Sequence, residues 1–397
     1  MKKTYIFQVL FTLSLFALQM NSLQAQGCVA VRPMGCGGST GNSGTFLMDK
    51  GDWQASVLFR YFESFRHFRG DVEESERVEL GTQVINDAKA IDLSLSHAFS
   101  QRFSVTASLP LIFNDRSSLY EHYGNSLNSN PDQLRFHTSS SGIGDLRLSG
   151  SYWLLDPAKS MKRNLAVGLG IKLPTGDSNV QDEFHKRNND GTDYTIVKAV
   201  DQSIQLGDGG VGITLDLQGY TLLAKKFSLY FNGFYMSNPQ EVNKTVGRTL
   251  NANSSLSDSI NQFHSIADQF AVRVGASYVL WPAKGLVFSL GMRAEGVPSK
   301  DLIGGSWGFR RPGYIISAEP GISFQHGNFG FNASVPYALY RNRVKSVSDL
   351  ADPSGQRHGD AAFADYLVNA GVTYRFAKKH KMMDHIPMFQ DVAPPTN

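Results

Sequence analysis

His137-Thr138-Ser139 sets an imidazole two residues from a hydroxyl, the pairing that nucleophilic hydrolysis uses. No orienting asparagine stands beside the pair, and the histidine falls in a polar segment that reads as a loop. Gly207-Asp208-Gly209-Gly210-Val211-Gly212 fits G-x-G-x-x-G. A dinucleotide site needs a strand before that motif and a helix after it, whereas here it closes a loop and opens a strand. Between Lys378 and Met388 stand Met382, Met383, Met388, His380 and His385, soft ligands for a metal such as Cu(I), but at no fixed ligand spacing. No zinc helix motif, P-loop or CxxC is present. No catalytic residue, metal or cofactor is therefore assigned, and the chain is not expected to be an enzyme.

A second set of chemical groups is spread widely but regularly. Arg60, Asp92, Asp145, Arg147, Lys172, Asp216, Arg273, Arg293, Glu295, Glu319, Asp365 and Arg375 each occupy the polar phase of an alternating segment. Six are basic and six acidic. Inside a narrow space such charges pair, because an isolated buried charge is costly. They are expected to line a lumen, where their near balance argues against a strongly ion-selective pore.

Those residues require elements with two faces, and the alternation supplies them. In the first segment Trp53, Val57, Phe59 and Tyr61 share one phase, while Gln54, Ser56 and Arg60 share the other. A period of two is the mark of a β-strand with one apolar and one polar side. Twelve such segments follow one another, the last carrying Tyr366, Val368, Val372, Tyr374 and Phe376. They run about ten to fifteen residues, the length that crosses a bilayer at a tilt. Short turns, such as Ala224-Lys225-Lys226, alternate with long polar loops, such as 115–141, 175–206 and 239–267. Five turns and six long loops result. Only a closed sheet spans lipid without leaving backbone groups unpaired. The fold class expected is all-β, a transmembrane antiparallel β-barrel of about twelve strands with long outer loops and short periplasmic turns.

Composition agrees with that reading. A mean hydropathy of −0.23 suits a soluble protein, but also a barrel whose strands are half polar and whose loops are wet. Lys and Arg number 38 against 35 Asp and Glu, a net charge of +3, and no basic stretch with interleaved aromatics points to nucleic acid. Met1-Lys2-Lys3, an apolar run to Leu18 and Leu23-Gln24-Ala25 read as an export signal over 1–25. Residues 26–50 are then a periplasmic arm or a lumen plug, 51–377 the barrel and 378–397 a periplasmic tail. Cys28 and Cys36 would meet an oxidising compartment, where a disulfide between them is expected. Lipidation at Cys28 is disfavoured, since the usual leucine three places upstream is missing.

Three stretches carry a family resemblance. They are Gly142-Ile143-Gly144-Asp145-Leu146, the run from Val167 to Asp177 that ends in Lys172-Leu173-Pro174-Thr175-Gly176-Asp177, and Gly207-Asp208-Gly209-Gly210. Together they resemble the outer-membrane barrel family labelled as the meta-pathway of phenol degradation. That family is similar in outline to barrels that import fatty acids and aromatic hydrocarbons. The likeness spans roughly residues 90–340 and implies passive entry of small hydrophobic or aromatic solutes, with no catalytic residues to carry over. Pro174, Thr175, Gly176 and Asp177 would then form a turn at the outer rim, Pro174 stopping strand pairing. Two features depart from the family pattern, about twenty residues after Phe376 and the cysteine-bearing N-terminal segment.

The expected partners are outer-membrane lipid, a small apolar solute and the barrel-assembly machinery. A monomer in the outer membrane with both termini periplasmic is expected. The alternatives are a surface-binding barrel without transport and, further behind, an outer-membrane lipase built on His137 and Ser139.

Overall fold

The computed structural model describes residues 48–376. The export signal, Cys28, Cys36 and the Met/His tail lie outside the described residues. Within them the chain forms twenty strands. The first seven are β1 (Trp53–Arg69), β2 (Val72–Glu73), β3 (Ile85–Ala98), β4 (Phe103–Ser118), β5 (Phe136–Ile143), β6 (Leu146–Trp153) and β7 (Arg163–Leu173). Next come β8 (Gln181–Arg187), β9 (Asp193–Ala199), β10 (Gly212–Ala224), β11 (Phe227–Ser237), β12 (Val242–Val246), β13 (Phe263–Ser265) and β14 (Gln269–Trp281). The last six are β15 (Leu286–Val297), β16 (Gly313–His326), β17 (Phe329–Ser334), β18 (Tyr337–Asn342), β19 (Ala361–Ala364) and β20 (Val368–Phe376).

Each wall strand pairs antiparallel with its neighbour, from β1 through β3, β4, β6, β7, β10, β11, β14, β15, β16 and β17 to β20. β20 then returns to β1, with Trp53 opposite Phe376 and Tyr61 opposite Val368. The result is a closed barrel of twelve strands, with four more strands extending it. Closure follows from the alternation, since no strand can bury its outward apolar face except in lipid. Trp53, Val57, Phe59, Leu93, Leu95, Leu169, Ile171, Leu215, Val274 and Leu290 all face outward and are exposed. At the short-turn end the outward positions are aromatic: Trp53, Phe99, Phe103, Tyr152, Trp281, Phe329 and Phe376. Such a ring belongs at a bilayer–water boundary. The polar phase faces inward and is largely buried, as Gln54, Arg60, Ser96, Thr106, Ser149 and Lys172 show.

Three wall strands are interrupted, each beside a proline of the adjacent strand. β5 gives way to β6 at Gly144-Asp145, where Gly144 N donates to Pro110 O at 2.8 Å. β17 gives way to β18 beside Pro320, whose carbonyl accepts from Val335 N at 3.1 Å. β19 gives way to β20 beside Pro336, whose carbonyl accepts from Leu367 N at 3.0 Å. A proline has no N–H to return, so the ladder lapses at that rung.

The long loops carry structure of their own. β8 and β9 form a hairpin within 174–211, while β12 and β13 pair within 238–268. Two one-turn helices, Leu256–Ile260 and Val347–Leu350, are each closed by a capping box, Ser255 with Asp258 and Ser346 with Asp349. One expectation needs correction. The loop over 115–141 is shorter, because β4 continues to Ser118 and β5 starts at Phe136. His137 therefore lies on a strand. That strand reads as loop in the sequence because it is polar on both faces, which a hairpin rising out of the lipid can be.

Candidate functional site

The three sequence stretches that suggested a family meet at one place. β7 ends at Leu173, and Pro174 starts a turn beside the interruption between β5 and β6. Thr175 fills that interruption: its Oγ1 donates to Gly144 O and accepts from Leu146 N, both at 2.8 Å. One hydroxyl thus replaces the missing rung. Gly176 N donates to Asp145 Oδ1 at 3.0 Å. Lys172 Nζ is ion-paired with Asp208 and lies 3.7 Å from Asp145. Asp177 O accepts from Leu206 N and Gly207 N, each at 3.1 Å, and its Oδ1 closes an Asx turn on Asn179 N at 2.8 Å.

Two glycines are required there by close approach. A Cβ on Gly176 would sit 2.7 Å from Leu206 O, and one on Gly207 would sit 2.5 Å from Asp145 Oδ1 and 2.7 Å from Gly176 O. The contact holds residues 201–209 inside the barrel. Replacing Thr175 by valine keeps the shape but loses both hydrogen bonds. We expect a loss of about 2 kcal/mol of stability, read from denaturant unfolding of the folded barrel in detergent.

Residues 201–209 cross the lumen. Asn114 Nδ2 on β4 donates to Ile204 O at 3.2 Å, and the Ser140 hydroxyl on β5 donates to the same carbonyl. On the far side Gln202 Nε2 donates to Ser265 O at 2.8 Å. Ile204 is buried, and Leu206 nearly so. Asp201 anchors the segment. Its carboxylate accepts from Arg311 Nη1 and Nη2 at 2.8 and 2.6 Å, and Arg116 Nη2 lies 3.5 Å away. Burial alone would raise the Asp201 carboxyl, but Arg116 and Arg311 hold it well below the usual carboxylate range.

One cavity touches the segment, and a second touches Arg116 and Arg311, which hold Asp201. The inner one, about 150 Å³, is bounded by Leu206 and Gly207 of the segment. The wall supplies Phe62, Ile112, Met236 and Val297 on its apolar side and Arg60, Arg147 and Lys172 on its polar side. Its volume is that of a benzene-sized molecule, and its lining is mixed polar and apolar. The outer one, about 490 Å³, lies further along the same strands, at His67 rather than Arg60 on β1 and at Arg116 rather than Ile112 on β4.

The twelve expected lumen residues are placed as follows. Arg60 Nε donates to Asp92 at 2.6 Å. Arg273 grips Glu319 with two bonds of 2.7 Å, and Arg293 grips Glu295 at 2.8 and 2.6 Å. Asp365 is paired with Arg341 and, at 2.7 Å, with Arg66. Arg375 pairs with Asp52 and, at 3.1 Å, with Asp49. Lys172 and Asp145 share the cluster described above. Arg147 lies over the Phe234 ring at 5.6 Å, and Asp216 Oδ2 is buried without a hydrogen-bond partner. Asp92 and Asp365 are half-buried, and the other ten are buried. Sequence reasoning missed Asp208, Asp201, Arg116 and Arg311. Asp208 is inside a stretch singled out for its glycines, Arg116 continues the inward phase of β4 within what reads as a loop, and Asp201 and Arg311 carry no periodic signal.

The hydrolase pair does not assemble. His137 Nδ1 contacts Asp115 Oδ1 at 2.7 Å on the exposed face, but no hydrogen bond among the described residues joins it to Ser139. Ser139 N is taken by Asp182 Oδ2 at 2.8 Å. No group of three or more potential metal ligands occurs among the described residues.

No protein-family model matches the chain, and neither does any curated protein. Solved structures do. An outer-membrane channel from Pseudomonas putida F1 is 13% identical, with a TM-score of 0.52, over 87% of this chain and 100% of the channel. The β domain of the Bordetella autotransporter BrkA is also 13% identical, with a TM-score of 0.42 over 83% of this chain and 100% of that domain. The CymD monoaromatic hydrocarbon channel is 12% identical, with a TM-score of 0.43 over 90% of this chain and 99% of that channel. The first of these likenesses shows the fold, an outer-membrane-type barrel, and the lipid-facing band and aromatic ring agree with it.

Proposed function

We propose that this barrel is an outer-membrane channel that admits small hydrophobic or aromatic solutes by passive diffusion. The observation that carries the reading is a closed barrel crossed by residues 201–209, with one cavity lined by that segment and a second lined by Arg116 and Arg311, which hold it. A solute would enter through the long-loop end, wait in the outer cavity and reach the inner one when the segment shifts. The channel named in the similar Pseudomonas structure and the motif resemblance to the phenol-degradation barrels both support it. The twelve lumen residues, ten of them in the ion pairs given above, are then wall struts, and the turn from Pro174 to Asp177 is the hinge end of the segment.

In this reading the long loops face outward and both termini are periplasmic, as an even strand number with short inner turns requires. The chain acts as a monomer inserted by the barrel-assembly machinery. Cys28 and Cys36 form a disulfide, and residues 26–50 are an arm or plug at the inner mouth.

The test is uptake of radiolabelled toluene into proteoliposomes, with planar-bilayer conductance on the same preparation. Uptake with little steady conductance is expected. Large steady conductance would make the protein a general porin. Absence of both, from protein shown to be folded by heat-modifiable mobility, would favour a surface-binding barrel.

A further inference from the structure

We infer that the outer cavity is a binding site for the acid group of the solute, so that the preferred ligands are small aromatic or aliphatic carboxylates. This rests on the channel reading above and narrows its solute class.

Arg77, Arg116, Arg310, Arg311, Arg343 and Arg357 line the 490 Å³ space, against only two carboxylates, Asp349 and Asp360. The other acids that pair with these guanidiniums are not among the lining residues. Glu74 meets Arg77 at 2.6 Å, Glu121 meets Arg116 at 2.9 Å and Asp301 meets Arg310 at 2.6 Å. The cavity surface therefore presents six guanidiniums and two carboxylates, although each guanidinium is paired. Arg310 and Arg343 are almost wholly buried, which weakens screening by solvent. Guanidiniums bind carboxylates with two parallel hydrogen bonds. Arg357 is the most available, since its own contacts to Asp258 and Asp349 are both 3.7 Å long. Phe309 and Tyr120, which line the same cavity, offer aromatic surface for the rest of the solute.

The site is also linked to the segment below it. Arg116 and Arg311 line the cavity and hold Asp201 at the same time. An incoming carboxylate competes with Asp201 for those two groups, so filling the outer cavity loosens the barrier to the inner one. A neutral or cationic solute of the same size has no such purchase, and it passes only when the segment shifts unaided.

The test is calorimetric titration of the full-length folded protein in detergent at low salt with benzoate, benzyl alcohol and benzylamine. Benzoate is expected to bind at least tenfold tighter than the other two. Arg311→Gln and Arg357→Gln are each expected to weaken benzoate at least threefold, and Lys226→Gln, at a short turn on the opposite end, to leave it unchanged. Arg357→Gln does not touch Asp201, so it separates loss of the site from loss of the barrier. Equal affinity for the three probes would overturn the inference, as would benzoate binding that survives both arginine changes. Toluene uptake persisting alongside either result leaves the channel reading standing.

Discussion

Replacing Asp201 by asparagine is expected to raise the steady conductance of the barrel at least tenfold. The change keeps size and the oxygen that accepts from Ser203 N at 2.9 Å, so the local turn survives. What is lost is the charge between Arg116 and Arg311, whose guanidinium contacts lie at 3.5 Å and at 2.6 to 2.8 Å. Breaking one side of a buried ion pair costs about 3–5 kcal/mol. Part of that is recovered here, because Arg116 retains Glu121 at 2.9 and 3.0 Å. A residual bias of about 1.4 kcal/mol or more toward the displaced segment is already a tenfold change in population. Wild-type closure should also resist acid. Asp201 is held well below the ordinary carboxylate range, so its clamp is complete above that range and fails only as pH falls through the lower value. Conductance of the wild type is therefore expected to stay flat from pH 8 down to about 4. Bilayer recordings across that range check both points.

The second large effect concerns the barrel itself. Glu319→Ala is expected to cost about 3–5 kcal/mol, because it strands Arg273 inside the wall. Glu319 is 2% exposed, accepts two bonds from Arg273 and a third from Ser334 Oγ at 2.9 Å. Changing both Arg273 and Glu319 to methionine removes the charges together and is expected to recover to within about 1 kcal/mol of the wild type. Denaturant unfolding followed by tryptophan fluorescence gives both values. A single variant as stable as the wild type would mean that the lumen at this level is wet enough to screen the pair.

Much of the barrel was legible because a period of two is a local property. Trp53, Val57 and Phe59 declare their face from neighbours two residues away, and lipid outside the barrel makes that face obligatory. The inward placement of Arg273 and Glu319 was legible for the same reason. Their partnership was not, since 46 residues separate them and only register brings them together. His137 and Ser139 illustrate a limit of the pattern: above the lipid a strand need not be apolar on either face, so β5 looked like a loop.

The occluding segment was the least legible part. Asp201 and Arg311 come from two separate connections and Arg116 from the end of β4, and nothing periodic ties the three together. The stretches from Gly142 to Leu146, Lys172 to Asp177 and Gly207 to Gly210 stood out as motifs, but their shared purpose appears only in space. Thr175 completes a ladder that Pro110 interrupts, while Gly176 and Gly207 let two backbones touch.

Residues 201–209 are the proposed barrier. Ser203 Oγ lies 3.5 Å from Asn86 Oδ1 on β3, so the pair can be joined without distortion of the wall. In a chain with Cys28 and Cys36 replaced by serine, Ser203→Cys and Asn86→Cys can be bridged by a short, reducible thiol crosslinker. Toluene uptake into proteoliposomes is then measured before and after reduction. Uptake that is abolished by the bridge and restored by reducing agent is the result predicted. Equal uptake in the bridged and reduced protein would contradict it, and would put the path of the solute somewhere other than through this segment.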